Sequence, residues 1–551
     1  MNIKIPFVFI FIIYIGVFEK INAQSNGCDF IFYNSPQNTL MINGDLLNNL
    51  APGDTICLQG GLYYQLNIKN LHGLPGRPIV IINKQGPVII NNNSNYGITF
   101  GHCTNIKFTG SGTLGVKYGF LINNVENGNG LSINYLSSDF EIECIEINNV
   151  AFAGIVAKTD PDCSFAAVRD SFELQNLSIH DNYIHNVGNE GMYIGNSHYT
   201  GITLTCNGAD TIVFPHLLSG VKIYNNILTN IGWDGIQVSS SSNDCQIHDN
   251  HISYDSDSAI ANQMSGILVG GGSSCDCYNN KINDGKGDGI DYFGLGNNKI
   301  YNNLIINSGK KYYFGGVPTE NPKHGIYATD KYSIPNSSLY FYNNTIVSPK
   351  TNGIKFVNWN SGQNKAYNNV IVNPGNIYFD IPYDHFDTLG NFFAPHSSFI
   401  LFDDTISQNY DLQVNSPLIN RGVDLADEGI TFDILNRSRP FNNLFDIGAY
   451  ECHKDGADIF ECPTLSRILI EIFPNPLHHS GNLVLNIPQK TFIEIEIYNA
   501  FGKKIKKILS AYKNQGLYNI ELKFDNFPSG LYYVKINTTN EYITKKLLII
   551  N

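Results

Sequence analysis

The chain of 551 residues is 42% hydrophobic and only 15% charged, with 32 Tyr and 33 Phe. That supply of apolar and aromatic side chains excludes a disordered chain and suits strands better than helices. The net charge of −13 is unevenly spread: residues 1–23 carry +1, residues 467–551 carry +5, and residues 24–466 carry −19, an acidic body that argues against a nucleic-acid partner.

The N-terminus reads as a secretory signal over residues 1–23. Lys4 supplies the positive region, Ile5 to Phe18 the apolar run, and Ile21-Asn22-Ala23 the cleavage site before Gln24. The run is short for a bilayer span, and no second apolar segment follows, so no membrane span is expected after signal removal. Export permits disulfides among the 11 cysteines. Cys452 with Cys462, which flank a short loop, and Cys163 with Cys206, which sit in insertions, are the expected pairs. Cys144, Cys245 and Cys275 are expected as stacked, buried free thiols.

Residues 28–60 read as a cap, with a short helix over Asn43 to Leu50. Short strands follow at Pro78–Asn83, Val88–Ile90, Gly97–Phe100 and Ile106–Thr109, punctuated by Gly and Asn turns. From about Glu141 to Pro374 a unit recurs. It opens on an Asn (Asn149, Asn182, Asn226, Asn250, Asn280, Asn303, Asn344, Asn369) and ends on Gly plus an apolar residue. Nine residues separate Asn182 from Gly191, Asn226 from Gly235, Asn280 from Gly289 and Asn344 from Gly353. Intervals of 23 to 25 residues between successive Asn suit one coil of a stacked repeat. The Asn residues are read as structural, suited to a left-handed turn and to hydrogen bonding along a stack.

The opening Pro52-Gly53-Asp54-Thr55-Ile56, Gly60-Gly61-Leu62-Tyr63 and Gly76-Arg77-Pro78-Ile79-Val80-Ile81 resembles that of secreted right-handed parallel β-helix proteins, among them polysaccharide lyases of the chondroitinase B and alginate lyase type. Asn415 to Gly422 and Asp446 to Glu451 resemble the ending of many bacterial β-helix bodies, where Arg421, Arg437 and Arg439 are expected to pair with acids. From Ile468 onward, Phe473-Pro474-Asn475-Pro476, Gly502-Lys503, Gly516-Leu517-Tyr518, Gly530-Leu531-Tyr532-Tyr533-Val534 and a final Lys545-Lys546-Leu547-Leu548-Ile549 resemble the C-terminal sorting domain of type IX secretion substrates. The implied organisation is all-β: a right-handed parallel β-helix over 24–465 with cap and closing segment, then a small β-sandwich over 466–551. The resemblance implies export through the type IX machinery to the medium or the cell surface. A monomer is expected.

The residue after each repeat Gly points inward, so the next one points outward. That outward row is Val156, Tyr193, Gln237, Leu268, Asp291, Tyr327 and Lys355. The residue before each Gly forms a second row: Ala153, Glu190, Asp234, Ser265, Asp288, His324 and Asn352. Together they outline a groove, flanked by insertions at 157–176, 197–219, 251–264 and 308–323. The expected catalytic residues are Glu190, Asp234, Asp288 and His324. Tyr193, Trp233, Gln237, Asp291, Tyr327 and Lys158 are expected to bind substrate, with Lys158, Lys310 and Lys311 as further candidate bases. Asp288 and Asp291 are the expected ligands of a Ca²⁺ ion. The expected partner is an extracellular polysaccharide, with a lyase placed ahead of a hydrolase as the expected activity. A lyase would neutralise a uronate while a base removes the adjacent proton. An inverting hydrolase would use Asp234 and Asp288, two coils apart. A non-catalytic glycan-binding or adhesion protein is the alternative, because Asp before Gly is also ordinary turn chemistry.

Overall fold

The computed structural model describes residues 27–309, 322–357, 359, 362–442 and 444–454. It also describes 469–550, apart from 479, 488–489, 515, 525–526 and 540–541. The signal over 1–23, Lys310, Lys311 and Cys462 lie outside the described residues.

Each coil of the body contributes three short strands. One coil consists of Lys222–Tyr224, Ile227–Ile231 and Ile236–Val238, and the next of Cys245–His248, His251–Ser253 and Ser265–Val269. Every strand pairs in parallel with its counterpart one coil on, giving a sheet of twelve strands and a second of 23 that collects the other two strands of each coil. Parallel connections of this kind are right-handed, and the body is a right-handed parallel β-helix. Inward side chains such as Ile236, Val238, Ile267 and Ile290 are fully buried and join one continuous core running the length of the coils. The repeat Gly is required by close approach. A Cβ on Gly235 would stand 2.5 Å from the Gly266 carbonyl oxygen and 2.7 Å from Ile252 Cγ2.

The repeat Asn residues form a buried ladder at one corner. The amide nitrogens of each, backbone and side chain, donate to the side-chain oxygen of the next. Asn226 N and Nδ2 lie 3.1 and 3.0 Å from Asn250 Oδ1, and the pattern repeats from Asn182 through Asn250, Asn280, Asn303, Asn344 and Asn369 to Asn391. Two expectations are corrected here. The left-handed residue is the one before the ladder Asn: Asp181, Asn225, Asp249, Asn279, Asn302, Asn343 and Asn368 all have φ between 51° and 56°. Asn149 is itself left-handed (φ 56°) and bonds to Asn124 at a different turn, while Ile145 N–H donates to the first ladder oxygen, on Asn182.

The cap is shorter in helix than expected, a single 3-10 turn at Gly44–Leu46 behind Asn43. Cys163 pairs with Cys206 as anticipated. Cys28 pairs with Cys57, which the spacing did not indicate. The expectation of free, stacked thiols fails for Cys245 and Cys275. Their strands are in direct register, Cα–Cα 4.3 Å, and they form a disulfide between neighbouring coils. Cys144 is a half-buried thiol, and Cys452 a buried one bonded to the Leu412 carbonyl. Converting Cys245 and Cys275 to Ser is expected to lower stability by about 2–4 kcal/mol. Urea unfolding under non-reducing conditions, with and without the pair, measures it.

The closing segment covers the last coils. Arg437 bridges Asp411 and Asp433, and Arg439 bridges Glu451. Among the described residues Arg421 has no ion pair. The C-terminal unit is a seven-stranded, almost wholly antiparallel sheet with its own core around Ile495, Val534 and Leu547.

Candidate functional site

The outward row predicted from Gly phase is the observed register. Val156, Tyr193, Gln237, Leu268, Asp291, Tyr327 and Lys355 are Cα partners in successive strands, and the row ends at Asp380. Ser265 and Asp288 are likewise partners in the second row. The twelve-stranded sheet therefore brings Glu190, Asp234, Asp288, Asp291 and His324 onto one face, away from the core.

That face is not an open acidic surface. Glu190, Asp234, Gln237, Asp288, Asp291 and His324 are all buried, Asp234 to 1% exposure. Tyr193, Trp233, Tyr327 and Lys158 are half-buried. The insertion before Ser265–Val269 folds back against 231–233. Ser256 N–H donates to the Trp233 carbonyl, Ser258 N–H to Gly232 and Asp257 N–H to Ile231. It delivers Asp255, another buried acid, whose Oδ1 accepts from Ser256 Oγ (2.7 Å) and Gly287 N–H.

The residue that organises the cluster is Lys323, absent from the sequence-derived set. Its ammonium lies 2.7 Å from Asp288 Oδ2 and 3.1 Å from the Met264 carbonyl oxygen. The other Asp288 oxygen accepts the His324 N–H. Burial pulls the Lys323 pKa down, but the Asp288 and Asp291 charges outweigh it and hold the ammonium well above its ordinary range. Lys323 stands two residues before Gly325, the position held by Trp233 relative to Gly235. A cation adjoining the acid row was the signal available.

The carboxyls respond to desolvation in the opposite sense. Burial raises Asp234 to about 8, aided by Glu190 and Asp255 and opposed by the hydrogen bond from Ser265 Oγ at 2.7 Å. Burial and the neighbouring Asp288 charge push Asp291 well above the usual carboxylate range. Burial raises Asp255 to about 6 and Glu190 in the same direction. His324 is pushed down by burial, and its Nδ1 bonds to Thr351 Oγ1 at 2.8 Å. The site thus favours a proton on Asp234 and the neutral form of His324 beside one ion pair. Three buried acceptors in the two rows have no partner: Asp234 Oδ2, Gln237 Oε1 and Asp291 Oδ1.

At the Tyr193 end, Tyr193 Oη and Gln237 Nε2 both bond to Ser197 Oγ, at 2.9 and 2.7 Å. Lys158 bridges Asp160 at 2.8 Å and lies over the Tyr193 ring at 4.8 Å. His180, His185 and His248 belong to the other sheet. There Glu141, Glu143 and His180 bring ligand atoms within 4.8 Å of one another, an arrangement that could hold a metal ion. Lys107 already bridges both carboxylates, at 2.5 and 3.0 Å. In the row itself, Asp288 has both oxygens engaged, so the Asp288–Asp291 pair offers one unpartnered oxygen where Ca²⁺ takes six to eight ligands.

Residues 216–381 match the family model of the right handed beta helix region, and residues 471–550 that of the secretion system C-terminal sorting domain. No curated protein matches the chain. Among solved structures, the chain is similar to pectate lyase Pel9A (14% identity, covering 77% of this chain and 96% of that one, TM-score 0.41). It is also similar to an alginate lyase from Paenibacillus sp. str. FPU-7 (13%, 63% and 99%, TM-score 0.36) and to a GH136 lacto-N-biosidase from Eubacterium ramulus (12%, 66% and 68%, TM-score 0.39). No helix among the described residues is long and apolar enough to cross a membrane.

Proposed function

We propose that this right-handed parallel β-helix protein, which its type IX sorting domain directs to the cell surface or the extracellular space, cleaves an extracellular polysaccharide by acid–base hydrolysis along the row Asp234–Asp288–Asp291. The observation that carries the reading is the division of labour among the buried acids. Asp234 holds its proton at neutral pH and has one oxygen without a partner, as a general acid requires. Asp288 is ion-paired with Lys323 and accepts the His324 backbone N–H, and in this reading it is the general base. The two stand two coils apart, roughly 10 Å between strands. That is near the range that leaves room for a water in an inverting hydrolase. Gln237 Oε1 and Asp291 Oδ1 would accept sugar hydroxyls, with Tyr193, Trp233 and Tyr327 as ring contacts. In this reading Lys323 supplies the charge that Ca²⁺ would bring at Asp288 and Asp291.

One observation favours elimination as the second reading. Burial keeps the His324 imidazole neutral beside a lysine ammonium, the pair a lyase needs for proton abstraction next to a uronate. Incubating the purified protein with acidic and neutral polysaccharides separates the two, because hydrolysis releases saturated reducing ends and elimination gives products that absorb in the ultraviolet. Hydrolysis should be insensitive to a calcium chelator. Asp234→Asn and Asp288→Asn should each lower it by about a hundredfold or more. Wild-type rates in both variants would remove the assignment, and glycan binding without turnover would make the protein an adhesin.

A further inference from the structure

One and two coils beyond Asp291, the loops that follow the strands of the same sheet carry exposed rings. Trp359 follows the strand Ile354–Val357 and is 63% exposed. Tyr332 follows Ile326–Thr329 and is 46% exposed. Trp359 is one of only two tryptophans in the chain, and the other, Trp233, is half-buried. Both rings border one cation. The Lys331 ammonium lies 5.2 Å from the Tyr332 ring centre and 5.8 Å from that of Trp359. Exposed Ile334 extends the apolar surface.

These rings stand on backbone held by the coils beneath. Trp359 N–H donates to the buried Asp330 carboxylate. Ser333 Oγ donates to the Gly294 carbonyl (3.0 Å), and Ile334 N–H to Leu295 (2.8 Å). Gly362 N–H reaches the Ser337 carbonyl at 3.0 Å, which ties the two ring-bearing loops together. Large rings kept in water on anchored loops carry a solubility cost, and such patches mark contact sites. Flat rings beside a cation match a pyranose: its C–H face packs on an aromatic ring, and an acid group on the sugar pairs with the ammonium.

We propose that Trp359, Tyr332 and Lys331 form a distal subsite for an anionic sugar unit, a uronate or a sulfate ester, of the same chain that lies over the Asp234–Asp291 row. The inference rests on the polysaccharide reading above for its ligand, and not on the cleavage chemistry.

Native electrophoresis in gels containing polygalacturonate, alginate, chondroitin sulfate or neutral xylan tests it, since retardation reports binding whether or not the glycan is cut. The wild-type protein should be retarded by at least one anionic glycan, and the uronate and sulfate gels separate the two sources of charge. Trp359→Ala should require about tenfold more glycan for the same retardation, with Tyr332→Ala and Lys331→Ala shifting in the same direction. Phe399→Ala, an exposed ring on the closing segment, should migrate as wild type. Unchanged retardation of Trp359→Ala overturns the subsite, as does a wild-type protein retarded by xylan alone or by none of the four.

Discussion

Replacing Arg439 by alanine is expected to lower stability by about 3–5 kcal/mol. Its guanidinium is fully buried. It donates to Glu451 Oε2 at 2.9 Å, Asn302 Oδ1 at 3.0 Å and the Gly448 carbonyl oxygen at 2.9 Å. One side chain thereby joins the closing segment to a coil more than a hundred residues earlier. Glu451 also accepts the backbone N–H groups of Phe441 and Asp446. Loss of the arginine leaves a buried carboxylate without its counter-charge, and that desolvated charge accounts for most of the effect. The double variant Arg439→Met, Glu451→Gln removes both charges and should recover part of the loss. Thermal and urea unfolding of the three proteins decide the matter. A loss under about 1 kcal/mol for Arg439→Ala, or no recovery in the double variant, contradicts the assigned role.

The second large effect is a pH dependence centred on Asp234. Its pKa is 3.8 in the ordinary state and about 8 in the folded protein, chiefly through burial. Between those values the folded state holds a proton that the unfolded state has released. Stability therefore falls as pH rises from about 4 to about 8, and the full window corresponds to about 5 kcal/mol. Asp234→Asn keeps the shape and cannot ionise. It should unfold with a flatter pH profile and gain most over wild type near pH 8. Urea midpoints at pH 5 and pH 8 provide the test, and an Asn variant whose advantage is the same at both values excludes Asp234 as the source. The same substitution is expected to lower cleavage by about a hundredfold or more, so one variant would be both more stable and far less active, the pattern of a residue kept for its chemistry.

The repeat made much of this fold legible. Gly before an apolar residue marks a place where two backbones touch, and that steric demand is local. It yielded the outward row from Val156 to Lys355 in correct register and the correct separation of Asp234 from Asp288 by two coils. The Asn phase was less secure, because Asn enters a left-handed turn at more than one corner of the coil. Asn149 and Asn182 look alike in sequence, yet only Asn182 occupies the ladder. The cysteines show the same limit: spacing placed Cys245 and Cys275 in one column, but not their sulfurs within bonding distance. The candidate site was half legible. Acids on the sheet follow the repeat, while Lys323 and Asp255 come from insertions, which carry no phase. Whether the row stands in water or beneath other chain depends on how those insertions return, and periodicity has no bearing on that.

The amide ladder has a direction. In every step the nitrogen atoms belong to the earlier coil and the accepting oxygen to the later one. A partly wound body therefore ends in unsatisfied donors, and each arriving Asn brings the oxygen that quenches them. For a chain that emerges N-terminus first, each coil would offer its donors to the Asn of the coil that follows. A substitution such as Asn280→Leu would leave the Asn250 backbone and side-chain amides without their acceptor and remove one side-chain donor to Asn303.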